Sequence, residues 1–94
     1  MDRETIDYLK AIGISKFELV EMVGRCESVN NVEFLGVVKV VETLEKYGCA
    51  GDDLRAVLTK NPKILCMTAE GLESALVTLG KNATKKLLSD PFLI

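Results

Sequence analysis

The sequence predicts an all-α fold in which about six short helices stack as a small solenoid-like bundle of helical repeats. Three observations carry this expectation. Apolar residues recur at helical spacing along the whole chain, each recurrence closes on a glycine or on an Asn-Pro or Asp-Pro step, and the pattern returns after 35 residues.

The bulk composition agrees. With 94 residues, 48% of them apolar, 28% charged and only two prolines, the chain is a folding sequence that makes one domain, residues 1–94, near the lower size limit for a single core. Three Phe, two Tyr and no Trp leave the core to Leu, Val and Ile, which suits packed helices.

Helix signals follow one another in short order. In residues 3–12, RETIDYLKAI, the apolar face is Ile6, Leu9 and Ile12, and Gly13 is the stop. Ser15 with Glu18 three residues later is a capping box, opening a second helix whose Phe17, Val20 and Val23 line up. SVNN, residues 28–31, is a turn or a cap. Asn30 with Glu33 repeats the capping pattern and starts the longest helix, VEFLGVVKVVETLEKY, with Phe34, Val37, Val38, Val41 and Leu44 as its stripe and Gly48 as its end. The run GVVKVVE also fits a strand by β-propensity, but the caps and the charges at Lys39, Glu42, Glu45 and Lys46 fit a helical period better.

A fourth helix starts at Gly51 or Asp52, with Asp52 and Asp53 at the positive end of the helix dipole and Leu54, Val57 and Leu58 inward. It ends near Lys60, because Pro62 pushes Asn61 out of the α region, and residues 61–67 become an irregular or 3₁₀ corner. Thr68 caps a fifth helix with Leu72, Ala75, Leu76 and Leu79 on one face, closed by Gly80. A sixth, ATKKLL, runs into Ser89, Asp90 and Pro91.

Shifted by 35 residues, Leu9, Ile12, Gly13, Leu19, Met22, Val23, Arg25 and Val29 fall on Leu44, Tyr47, Gly48, Leu54, Val57, Leu58, Lys60 and Ile64. A third copy is three residues shorter between its glycine and its proline: Leu76, Leu79 and Gly80 match Leu44, Tyr47 and Gly48, and Leu87, Pro91, Leu93 and Ile94 match Leu58, Pro62, Ile64 and Leu65. The repeat units run approximately over 5–41, 42–75 and 76–94, the last incomplete. One unit cannot cover its own apolar stripe, so the units must stack, and the apolar residues after each proline are expected to plug the corner between helix pairs.

The stretches LKAIGISKFELVEMV, LEKYGCAGDDLRAVLTKNPKIL and TLGKNATKKLLSDPFLI carry a repeating pattern of leucine, glycine, capped helix and proline followed by Ile/Leu. In this pattern, over residues 5–94, the chain resembles the mitochondrial transcription termination factor family, mTERF. The resemblance implies repeats of two helices and a short 3₁₀ turn stacked into a curved solenoid, whose basic concave side binds double-stranded DNA or RNA in organelles. The first repeat has Cys26 and Glu27 where that pattern has its proline.

Little in the sequence points to catalysis, and a non-enzymatic role without cofactor is expected. Histidine is absent, so a Ser or Cys nucleophile lacks its common activating base. The Asp52/Asp53 pair is explained by the helix start and Glu42/Glu45 by a solvated face. Cys26, Cys49 and Cys66 are odd in number and widely spaced, form no metal-ligand pattern, and read as small buried hydrophobes in a reducing compartment. No membrane-spanning run occurs, and the acidic, polar start MDRETIDYLK is no leader, so the expected location is intracellular, in the cytoplasm or in an organelle matrix if the chain is trimmed.

Charge is unevenly spread: residues 1–45 hold five Lys/Arg and nine Asp/Glu, whereas residues 46–94 hold seven and five. Lys60 and Lys63 flank Pro62, and Lys81, Lys85 and Lys86 occupy the same neighbourhood of the next unit. Stacked, they form one edge able to meet the phosphates of double-stranded nucleic acid, or else a solubilising surface with cations near helix C-termini. The other functional reading is a regulatory or interaction domain that docks a protein partner, or a second copy of itself, through the apolar end Phe92, Leu93 and Ile94.

Overall fold

The computed structural model describes every residue, Met1–Ile94, as helices and turns without a strand. The run over residues 36–42 is helical, so its valines serve a helix face. Helix α1 (Arg3–Ala11) opens under Asp2, whose carboxylate accepts the Thr5 N–H at 2.9 Å and the Thr5 hydroxyl at 2.7 Å. Helix α2 (Lys16–Arg25) opens with the expected capping box: the Ser15 hydroxyl accepts the Glu18 N–H at 3.1 Å, and the Glu18 carboxylate accepts the Ser15 N–H at 2.9 Å.

A 3₁₀ turn, Glu27–Asn31, then makes the first corner and leads to α3 (Phe34–Lys46). The second pair is α3 with α4 (Asp52–Lys60), its corner at Pro62–Cys66, and the third is α5 (Ala69–Leu79), capped by Thr68, with α6 (Ala83–Ser89), its corner at Pro91–Leu93. The order helix, helix, 3₁₀ turn therefore occurs three times.

Helix α3 ends in a complete Schellman motif. The Gly48 N–H donates to Glu45 O at 3.0 Å and the Cys49 N–H to Leu44 O at 2.9 Å, with Gly48 at φ 91°. Helix α1 ends in the same way 35 residues earlier, through Gly13 to Lys10 O at 3.0 Å and Ile14 to Leu9 O at 3.0 Å. The residues just past each glycine, Ile14 and Cys49, are both buried and complete the motif's apolar contact.

The first helices pack as one row, α1 on α3 on α5, and the second helices as another, α2 on α4 on α6, with the first two corners in contact beside them. Tyr8 meets Phe34 edge to face at 5.9 Å where α1 joins α3, and Lys46 reaches Glu73 at 3.0 Å where α3 joins α5. One continuous core runs through the stack, including Leu9, Met22, Val29, Leu44, Leu58 and Leu76. Ile64 and Leu65, just past Pro62, are buried as the corner plug requires; each such side chain contributes about 1.5–3 kcal/mol over an exposed one.

Four sequence expectations need correction. Phe17 and Val20 are exposed, 74% and 66%, because α2 turns Leu19 and Met22 into the core and leaves its other apolar flank at the open end of the stack. Asn30 does not cap α3: it is held in the first corner, and Glu33 occupies the cap position without a side-chain hydrogen bond. In the third corner only Pro91 is buried, while Phe92 and Leu93 are exposed, because this corner packs mainly against α6. Of the cysteines only Cys49 is buried; Cys26 is half-buried and Cys66 exposed, because both lie at the rim of the corners.

Candidate nucleic-acid interface

Charge separates cleanly only in the last repeat. Helix α6 carries Lys85 and Lys86 with no carboxylate, and Lys81 stands just before it, whereas α5 carries Glu70 and Glu73 with no cation. The other four helices each mix both signs. The positive pole of the molecule is therefore the α6 side of the third repeat.

Lys81 and Lys85 line one hollow of about 340 Å³ with Tyr47, Asn82, Thr84 and Asp53, so two ammonium groups face a single carboxylate. Neither lysine takes part in an ion pair or a side-chain hydrogen bond; the ion pairs are Arg3–Asp7, Lys46–Glu73 and Arg55–Asp52. Their positions follow from the fold. Gly80 stops α5, Lys81 falls in the two-residue turn, and Lys85 lies on the exposed side of α6 while Ala83 and Leu87 turn inward.

Lys86 is already engaged: its ammonium donates to Leu79 O at 2.5 Å, satisfying a carbonyl at the end of α5 where the dipole favours a cation. Lys60 lies elsewhere, in a hollow with Glu18, Glu21, Arg25 and Thr59, where carboxylates offset its charge. Lys63 stands exposed in the second corner. The five lysines thus divide between the third repeat (Lys81, Lys85 and Lys86), the junction of α2 with α4 (Lys60) and the second corner (Lys63). The apolar end is likewise exposed at Phe92, 69%, and Leu93, 48%, while Ile94 packs partly on the core.

Sequence reasoning passed over the arginines, and these hold the stack together. The Arg25 guanidinium donates to Thr59 O at 2.8 Å, and Arg55 donates to Gly13 O at 3.2 Å while pairing with Asp52 at 3.2 Å. Thr84, which the shortened third copy aligns with Arg55, donates to Tyr47 O at 3.1 Å. Each later second helix therefore closes on the glycine turn of the preceding repeat. The available signal was the register itself, which places Arg55 and Thr84 at one repeat position.

Several perturbed ionisations accompany structural contacts. The Ser15 N–H holds Glu18 below its ordinary value, Lys46 holds Glu73 down and is itself held up by it, and burial with nearby Glu45 and Glu42 pushes Tyr8 up. No three Cys, Asp or Glu side chains gather to hold a metal ion, and no helix is long and apolar enough to cross a membrane.

No curated protein and no solved structure matches the chain. The mTERF family model does match, over residues 2–87, which covers nearly all of the three helix pairs seen in the structure. On that match, and on the repeated helix, helix, 3₁₀ architecture, the chain belongs to the mTERF family of helical-repeat, nucleic-acid-binding factors.

Proposed function

We propose that the chain is a non-enzymatic module that binds double-stranded nucleic acid by shape and phosphate contacts, with Lys81 and Lys85 as its principal cations. Lys86 reinforces the same positive pole, and Lys60 and Lys63 contribute less. The observation that supports this reading is the α6 side of the third repeat, where Lys81 and Lys85 are unpaired and share one hollow. Ammonium groups that form no ion pair can exchange water and counterion for phosphate without first breaking a salt bridge.

The test is duplex DNA and duplex RNA binding followed by anisotropy across a salt series starting near 50 mM, a condition that strengthens phosphate contacts. Affinity should fall steeply with salt. Lys81→Glu/Lys85→Glu should remove most of it, while Lys60→Glu, already among carboxylates, should weaken it only slightly. Absence of binding at the lowest salt, or equal loss from all these variants, would refute the assignment.

One observation favours a second reading, a protein-interaction role: Phe92 and Leu93 are exposed side by side at the last corner. A chain that ignores both duplexes but self-associates, and becomes monomeric as Phe92→Ser/Leu93→Ser, would establish that role instead.

A further inference from the structure

Successive corners are tied to each other by one repeat position. At the second joint this residue is Asn61: it is 3% exposed, and its side-chain amide donates to Pro91 O in the third corner at 2.7 Å. At the first joint the equivalent residue, 35 positions earlier, is Cys26. The two share a backbone conformation, φ −148° and ψ 97° against φ −130° and ψ 74°, and each N–H donates to the carbonyl four residues back at 2.9 Å. Cys26 is therefore aimed at the second corner as Asn61 is aimed at the third.

What Cys26 meets there is another cysteine. Cys66 is the last residue of the second corner and, with Ser28 and Asn31 of the first, lines the hollow of about 450 Å³ where the two corners pack. Burial and the neighbouring Cys26 side chain both push the Cys66 thiol up. Cys66 is exposed and Cys26 half-buried, so a small oxidant can reach the pair, whereas Cys49 is sealed in the glycine turn after α3.

We propose that Cys26 and Cys66 form a reversible disulfide across the first joint, a redox-sensitive tie that a peroxide closes and a dithiol opens. In closing, the thiolate of one cysteine attacks a peroxide oxygen, the O–O bond breaks, and a sulfenic acid forms with loss of hydroxide. The second thiol attacks that sulfur, so that the S–S bond forms, the S–O bond breaks and water leaves. Two electrons and two protons pass from the pair to one hydrogen peroxide, which becomes two waters. The bond closes a long loop, from residue 26 to residue 66, and fixes the first repeat on the second. This tie is independent of what the chain binds.

The experiment is to expose the purified full chain to hydrogen peroxide, then map its disulfides by mass spectrometry without reduction and follow its thermal unfolding. The expected product is a monomer two hydrogens lighter, with the peptides of Cys26 and Cys66 linked and Cys49 free. Its melting midpoint should rise by roughly 10 °C and return on addition of dithiothreitol. Cys66→Ser and Cys26→Ser should show neither change, and Cys49→Ser should show both. Links through Cys49, oxidation confined to sulfinic or sulfonic acids, or only intermolecular bonds would overturn the proposal. A Cys26–Cys66 link that leaves the midpoint unmoved would overturn its action as a tie.

Discussion

Gly13, Gly48 and Gly80 occupy one repeat position, and replacing each by alanine tests the joint between repeats quantitatively. All three have positive φ, 105°, 91° and 85°. An L-residue there loses about 1–2 kcal/mol, partly offset by the stiffer unfolded chain, so each variant should start from a loss of about 1 kcal/mol. The surroundings then separate them. A Cβ at Gly80 meets nothing, and one at Gly48 lies 3.7 Å from the Thr84 hydroxyl, an ordinary contact. At Gly13 it would sit 2.8 Å from Arg55 Cδ, so Arg55 must withdraw and its hydrogen bond to Gly13 O is lost. That bond contributes about 1 kcal/mol, giving a total near 2 kcal/mol for Gly13→Ala. Urea unfolding followed by far-ultraviolet circular dichroism reads these differences at constant m. In a cycle with Arg55→Ala, the extra cost at Gly13 should disappear. Equal losses at the three glycines, or an undiminished cost at Gly13 without Arg55, would refute the closing of each second helix on the preceding turn.

Two other expectations come from single contacts. Asn61→Ala leaves Pro91 O buried without its donor and should cost about 1–3 kcal/mol in the same urea assay; an unchanged midpoint would mean that the second joint does not depend on this bond. The Ser15 N–H lowers Glu18 below its ordinary value of 4.5, so the carboxylate's contribution is complete above that pH and is lost as pH falls through the lower folded-state value. Acid unfolding should therefore steepen below pH 4.5, and less so in Glu18→Gln, which keeps the hydrogen-bond acceptor without the titration. Superimposable acid profiles would count against the capping box as their source.

The fold was legible because the 35-residue register compares positions rather than local spacing. It pairs Leu19 with Leu54, Met22 with Val57 and Val29 with Ile64, and all six are buried. Spacing within α2 alone selected Phe17 and Val20, since an end helix carries two apolar flanks and only the packing of α4 decides which one is inside. The same limit applies to the interface. The lysines could be found by counting, but the capture of Lys86 by Leu79 O and the gathering of Lys60 with Glu18 and Glu21 depend on helix packing. The pairing of Cys26 with Cys66 was hidden for the same reason, because it arises only when two corners stack.

Proline is not what creates a corner, and this leads to a last prediction. The first corner has Glu27 where the others have Pro62 and Pro91, yet it forms the same turn: the N–H groups of Cys26, Asn61 and Asp90 donate to Met22, Val57 and Lys86 O, each at 2.9 Å. What the three share is a non-helical residue followed by a 3₁₀ turn, and in the first two that turn carries a fully buried Val29 or Ile64 into the core. Proline adds a bias against helix in the unfolded chain. Glu27→Pro should therefore be accepted without strain, because Cys26 already has φ −148° and ψ 97°, almost the −146° and 93° with which Asp90 precedes Pro91. As the first residue of its turn, Glu27 gives up no hydrogen bond within the turn by losing its N–H. The variant should gain about 0.4–1 kcal/mol through its unfolded state, seen as a higher urea midpoint at unchanged m. A loss of stability would show that the first corner depends on the Glu27 N–H, and that the three corners are not built alike.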